Sequence, residues 1–134
     1  MGAVTHVVMW GTGGRSVYGR SSLIIAVATI GVMGCLVWAH HMFTVGLDLD
    51  TRAYFIAATI GIALPTGIKL YSWNARMLGN RMRLSLPALW VYGFMCMLTL
   101  GGTTGVVLAN TVIDIVLHDT FFVVGHFHYV LRTG

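Results

Sequence analysis

Two stretches without a single Asp, Glu, Lys or Arg, residues 21–47 and 84–113, set the terms on which this chain can fold. Each is longer than the ~20 residues a helix needs to cross a bilayer core. A third run, 53–68, is shorter and ends at Lys69. Charged residues are 9% of the 134, against roughly 25% in ordinary soluble domains, so there is too little polar surface to clothe a water-soluble core. The pattern predicts an all-α membrane protein, a single membrane domain over 1–134. Three full transmembrane helices are expected at about 21–45, 53–73 and 85–109, with a partial helix at 1–11 and a partial span at 120–134.

The segment 1–11 is too short to span and is broken by Gly11, Gly13 and Gly14. Arg15, Arg20, Ser16, Ser21 and Ser22 follow, with no acid before Asp48, so the N-terminal part reads either as a targeting peptide or as the tail of a longer helix. Connections alternate in charge: basic before the first span, acidic with Asp48 and Asp50 after it, basic with Arg76, Arg81 and Arg83 after the second, acidic with Asp114 and Asp119 after the third. By the positive-inside rule the basic connections face the matrix or cytoplasm. The net charge of +4 comes from residues scattered between spans without interleaved aromatics, which argues for topology and against nucleic acid. Cys35 and Cys96 lie in separate apolar runs with no metal-like spacing and read as buried filler. Trp10, Trp38, Trp73 and Trp90, near the ends of apolar stretches, read as interfacial anchors. Gly101, Gly102 and Gly105 would let another helix approach closely.

Histidine is the residue such a chain can least afford to leave unexplained. His126 and His128 are two apart, ~200° on a helix, so they face opposite sides and suit two different cofactors rather than one metal. Ionisable groups within a membrane default to function, and histidine is the usual proximal ligand of heme. His40 and His41 form either an interfacial pair or a metal site. Neighbours on a regular helix diverge by ~100°, so joint ligation requires an irregular turn there. His126 is seven residues inside Asp119 and His41 seven inside Asp48, which puts both ~10 Å below the acidic connections and favours a common site. Lys69 lies deeper, with Thr66 one turn away on the same face. It is either a snorkelling lysine or part of a proton relay. His118 and Asp119 form either a solvated loop or an oxygen–imidazole site for Mg²⁺ or Mn²⁺.

Several of these segments, taken in order, resemble subunit I of the heme–copper oxidases. They are Trp38-Ala39-His40-His41-Met42-Phe43-Thr44-Val45-Gly46, Asp50-Thr51-Arg52-Ala53-Tyr54-Phe55, Pro65-Thr66-Gly67-Ile68-Lys69, Leu108-Ala109-Asn110, Asp114-Ile115-Val116-Leu117-His118-Asp119-Thr120 and His126-Phe127-His128-Tyr129-Val130-Leu131. The likeness covers nearly the whole chain, is closest to the mitochondrial cytochrome c oxidase branch, and is weakest at 8–20 and 74–83.

The resemblance implies part of a twelve-helix core, from the end of its sixth helix into its tenth. It implies His40 and His41 as two of three ligands of the active-site copper. His126 would be the axial ligand of the high-spin heme (heme a3), and His128 one axial ligand of the low-spin heme (heme a). Lys69 and Thr66 would belong to a proton-uptake path near Thr5, and His118 and Asp119 to a magnesium site that another subunit completes. The implied activity is reduction of oxygen to water with coupled proton pumping, in the mitochondrial inner membrane, with the bacterial plasma membrane as the lesser possibility. The implied partners are the remaining portions of subunit I, oxidase subunits II and III, cytochrome c as electron donor, and membrane lipid. The family's His-Pro-Glu-Val-Tyr motif, the second low-spin heme ligand and the propionate-pairing arginines do not occur in the sequence, which suggests a subunit split between polypeptides. Phe121 and Phe122 stand for usual tyrosines, Gly125 for an alanine, and Arg132-Thr133 for Ser-Met; none is a ligand. The alternatives are a quinol oxidase portion with the same ligands and a membrane electron-transfer cytochrome without oxygen chemistry. The His40–His41 pair and the Lys69 path argue against the latter.

Overall fold

The computed structural model describes residues 2–132, and every regular element among them is helical. The α-helices are α1 (Gly2–Gly11), α2 (Arg20–Gly34), α3 (Leu49–Leu78), α4 (Leu86–Leu108), α5 (Thr111–Leu117) and α6 (Phe121–Phe127). A 3₁₀ turn at Trp38–Met42 lies between α2 and α3, and a π turn at His128–Arg132 continues α6.

Four helices start where a short polar side chain accepts an otherwise unpaired backbone N–H. Asp48 accepts from Thr51 at 3.4 Å, Ser85 from Ala88 at 3.4 Å, Asn110 from Val112 at 3.1 Å and Thr120 from Phe122 at 3.3 Å. Pro87 sits in the first turn of α4, where its missing N–H costs nothing. Pro65 is interior to α3 and removes one rung of the ladder, yet the helix runs through it.

At 30 and 23 residues, α3 and α4 are long and apolar enough to cross a membrane. The span expected at 21–45 is not one helix. α2 stops at Gly34 after 15 residues. The N–H groups of Cys35 and Leu36 reach back three residues, to Val32 and Met33 at 3.2 and 2.9 Å, and the chain resumes only as the 3₁₀ turn. Gly31 and Gly34 supply the weak helix propensity at the break.

The packing is organised from two ends, one carrying the arginines of the 12–20 and 76–83 segments, the other carrying all four aspartates. At the basic end Val8 of α1, Trp73 and Met77 of α3, and Val91, Met95 and Leu98 of α4 form a core. The Trp73 indole is 1% exposed, stands edge-on to Phe94, and donates its N–H to Thr5 Oγ1 at 3.0 Å. Trp73 is therefore a core residue and not the interfacial anchor its sequence position suggested. At the acidic end Ala39, Phe43 and Phe55 make a second core. Cys35 and Cys96, expected to be buried, lie exposed and unpaired on the outside of α2 and α4. Both helices bury only a few residues within the chain, so an apolar position need not be an interior one.

Replacing Trp73 by alanine removes the wedge that joins α1 to α3 and α4. A loss of about 3–5 kcal/mol is expected, seen as a lower thermal midpoint and as faster proteolysis in the 12–20 connection; unchanged cleavage there would show that α1 is held by something else. At the other end, the hydrogen bonds from Thr51 hold the Asp48 carboxyl below the usual carboxylate range. A depressed value in the folded chain means that this cap contributes above the unfolded value near ~3.9 and fades as pH falls through the folded one. Asp48→Ala is expected to speed hydrogen exchange at the first turn of α3 near neutral pH, with the difference from wild type shrinking in acid.

Candidate metal and cofactor centre

A cavity of about 770 Å³ opens between α3, α4, α6 and the 3₁₀ turn, within the ~300–1,000 Å³ common for cofactor sites. His40, His41, Thr66, Lys69, His118, Asp119 and His126 all line it. Residues 86 positions apart in sequence thus reach one space. His128 is exposed and does not line it.

The break after α2 decides what the first two histidines can do. In the 3₁₀ turn their rings lie 4.2 Å apart, tilted by 58°, with the two Nε2 atoms 2.9 Å from each other. At the ~2.0–2.1 Å of a metal–imidazole bond, that spacing subtends about 90° at a shared ion, suited to the tetragonal preference of copper. His40 Nδ1 lies 3.2 Å from Thr59 Oγ1. A proton held there leaves the Nε2 lone pair for the ion, the usual way a neighbouring group orients a ligating imidazole. The donor chemistry fits a copper ion.

The tautomer of His126 follows from its partner. Nδ1 is 2.9 Å from the Gly101 carbonyl and 3.3 Å from Thr104 Oγ1. A carbonyl only accepts, so Nδ1 carries the proton and Nε2 is left with its lone pair. His128 obeys the same logic on the other face: Nδ1 donates to the Val124 carbonyl at 2.8 Å, and the ring stacks on Phe127. With Nδ1 tied to a carbonyl, each imidazole would have Nε2 to offer a metal, a donor that fits heme iron. The His126 ring needs Gly105 to sit where it does, since a Cβ there would meet His126 Cε1 at 2.7 Å. Gly101 has a parallel role, as a Cβ would meet Tyr129 Cβ at 2.9 Å.

Lys69 is 4% exposed and makes no hydrogen bond or ion pair with the described residues. Thr66, on the same wall, spends its hydroxyl hydrogen on the Ile62 carbonyl at 3.0 Å. The Lys69 side chain is packed along the cavity wall, a position open both to a snorkelling lysine and to a proton-relay group.

At the acidic end, Asp119 adopts a left-handed backbone, φ 57°, and brings Oδ2 to 3.5 Å from His118 Nε2. The two donors are near enough to share one divalent cation, and Mg²⁺ typically takes one or two carboxylates and keeps several waters. Asp114 approaches His118 Nδ1 at 3.8 Å. Its Oδ2, like Thr111 Oγ1, is buried without a hydrogen-bond partner. Burial raises the Asp114 carboxyl above the usual range, with His118 and His41 partly offsetting the rise. Among the described residues no group of three or more His, Cys, Asp or Glu could hold a metal, so each candidate site is a pair.

Three contributors escaped the sequence. Thr59 shares a face of α3 with Thr66, seven residues on, so a polar stripe through an apolar helix was available as a signal. Asp114 is the single acid of the otherwise apolar stretch Thr111–Leu117. Gly105 announced a close approach but not what approaches.

A family model described as "Cytochrome C and Quinol oxidase polypeptide I" matches residues 1–134. The chain is 50% identical over 133 residues to cytochrome c oxidase subunit 1 of Candida albicans, covering 99% of this chain and 25% of that protein. It is 50% identical to the Pecten maximus protein of that name, over 99% of this chain and 28% of the other. To the Mytilus edulis protein it is 49% identical, over 99% and 24%. The chain therefore spans about a quarter of the length of the curated relatives it matches. With the family model matching residues 1–134 and relatives about 50% identical over 99% of the chain, the chain belongs to the cytochrome c and quinol oxidase polypeptide I family.

Proposed function

We propose that this chain supplies one stretch of subunit I of cytochrome c oxidase, an oxidoreductase of the respiratory chain in the mitochondrial inner membrane. The observation that carries the proposal is the convergence of His40, His41 and His126 on one cavity, with the Nε2 atoms of His40 and His41 2.9 Å apart. In it His40 and His41 hold the active-site copper, His126 the high-spin heme a3 and His128 the low-spin heme a. When bound, these groups supply the electron transfer and the oxygen-reducing chemistry.

The chain's own residues do the rest. Gly101 and Thr104 hold the proton on His126 Nδ1, and Thr59 does the same for His40. α6 separates the two heme sides, because His126 and His128 leave it on opposed faces. Lys69, its side chain lining the cavity wall beside Thr66, serves proton uptake into the cavity. His118 and Asp119 hold magnesium together with groups from another subunit.

The two-, not three-, donor sets agree with an assembled site, in which the remaining portions of subunit I and subunits II and III contribute and cytochrome c delivers electrons to the complex. Relatives named cytochrome c oxidase favour that donor over quinol. A cytochrome without oxygen chemistry has no use for the His40–His41 pair.

Reduced-minus-oxidised and CO-difference spectra of the gently purified membrane complex, with metal analysis, test the proposal. Two heme signals, one binding CO, and copper beside heme are expected; a complex without heme would sink it. His41→Asn is expected to lower copper by one per complex while both heme bands persist. Gly105→Ala, which drives a methyl into the His126 ring, should shift or abolish the CO-binding band and spare the other heme. Gly93→Ala, off the cavity and with open space around its new methyl, serves as the silent control.

A further inference from the structure

Two side-chain hydrogen bonds join α1 and the turn after it to α3, and neither belongs to a metal or cofactor site. Trp73 donates its indole N–H to Thr5 Oγ1 at 3.0 Å, and Arg76 Nε donates to Thr12 Oγ1 at 3.3 Å. The Thr12 hydroxyl in turn donates to the Val8 carbonyl at 2.7 Å. Thr5, Val8 and Thr12, spaced three and four apart, share one face of α1 and its following turn. Lys69, Trp73 and Arg76, spaced four and three, share one face of α3. Val8, between the two bonds, is fully buried, as is Trp73.

Apolar contact alone sets the axial position of one helix on another only loosely, because the attraction scales with area and has no direction. A hydrogen bond has direction. Advancing α1 by one residue in its packing shifts it ~1.5 Å and turns its faces ~100°. That takes Thr5 from the indole, and a buried N–H without an acceptor is costly. The register so fixed bears on the cavity. Leu70 and Leu98 line it and also pack in the core around Trp73, so this core is its floor towards the basic end. Of the residues forming the core, Val8, Trp73, Met77, Val91, Met95 and Leu98, Trp73 alone carries an N–H or O–H on its side chain. Lys69, on the cavity wall, is one turn from Trp73, ~6 Å along α3. The hydroxyl that Trp73 grips therefore stands a turn below Lys69, on the side of the basic end.

We propose that Trp73 is a positioning residue for proton uptake: its N–H holds Thr5, and α1 with it, in the register that keeps the Thr5 hydroxyl oxygen on the approach from the basic end to Lys69. Trp73 itself carries no proton to the cavity, since an indole N–H only donates. It acts through Thr5, whose oxygen can order water beside an otherwise apolar floor. The inference rests on the reading of Lys69 as a proton-uptake group, and goes beyond it in naming what sets the approach.

The test follows proton uptake by the intact complex on reduction, read with a pH-indicating dye, in variants whose heme spectra match wild type. Trp73→Phe keeps a ring in the core and removes the N–H; Thr5→Val keeps the shape and removes the oxygen. Either suffices if the other does not assemble. Each is expected to slow uptake about threefold to tenfold, the worth of one hydrogen bond. The double variant should slow it no further, because both changes remove the same bond. Thr5→Ser, which keeps the oxygen, should recover most of the rate. Additive losses in the double variant, or equal losses in Thr5→Ser and Thr5→Val, show a packing role and overturn the proposal, as does an unchanged rate in the single variants. Lys69→Met separates the two readings. If it slows uptake while Trp73→Phe and Thr5→Val do not, the positioning role alone falls. If it leaves uptake unchanged, the Lys69 reading falls and this one with it.

Discussion

Everything at the centre depends on backbone carbonyls that dictate where imidazole protons reside. An imidazole among apolar helices has no water to satisfy it, so each ring nitrogen needs a defined partner. Gly101 and Val124 provide carbonyls, groups that only accept, and thereby fix the protons of His126 and His128 on Nδ1. One nitrogen on each ring is tied to the scaffold and the other is left to the proposed heme iron. The scaffold can do this for His126 because α4 carries glycine at both 101 and 105, so the ring and the start of the π turn rest directly on its backbone. Packing, tautomer and ligand capacity are one arrangement seen from three sides.

The second constraint is a broken helix. A continuous helix through 21–45 would have sent His40 and His41 in directions ~100° apart. Ending α2 at Gly34 and resuming as a 3₁₀ turn brings their Nε2 atoms to 2.9 Å. The irregularity is confined to the acidic end, where Ala39 and Phe43 anchor the turn against Phe55 of α3. The regular part of the bundle, α1 with α3 and α4 around Trp73, lies at the opposite end and carries the arginine cluster.

Much of this was legible in the residues. The uncharged runs specify membrane-compatible helices: α4 follows its run closely, α3 extends past the expected 53–73 at both ends, and the run at 21–47 is broken after Gly34. The spacing of His126 and His128 specifies opposed faces on any helix, and one of them lines the cavity while the other does not. The equal depth of His41 and His126 below their aspartates anticipated a shared space. Other details were not legible, for physical reasons. Trp73 and the cysteines exchanged their expected environments because hydrophobicity in a membrane chain is nearly uniform around each helix, so no apolar stripe marks the inward face. Thr59 and Asp114 became important only through neighbours contributed by other helices.

The sequence by itself determined the helical class, the alternation of basic and acidic ends, and which histidines were candidate ligands, since these follow from composition, from charge at the ends of apolar runs, and from residue types that are costly to bury without a function. Only the tertiary structure decided which carbonyls hold His126 and His128, how near the adjacent pair comes, that Lys69 lines the cavity, and that Arg76 reaches the turn after α1. Those properties are distances between segments far apart in the chain. They are set by close packing at a few glycines and by where a helix stops, and a one-dimensional pattern carries neither.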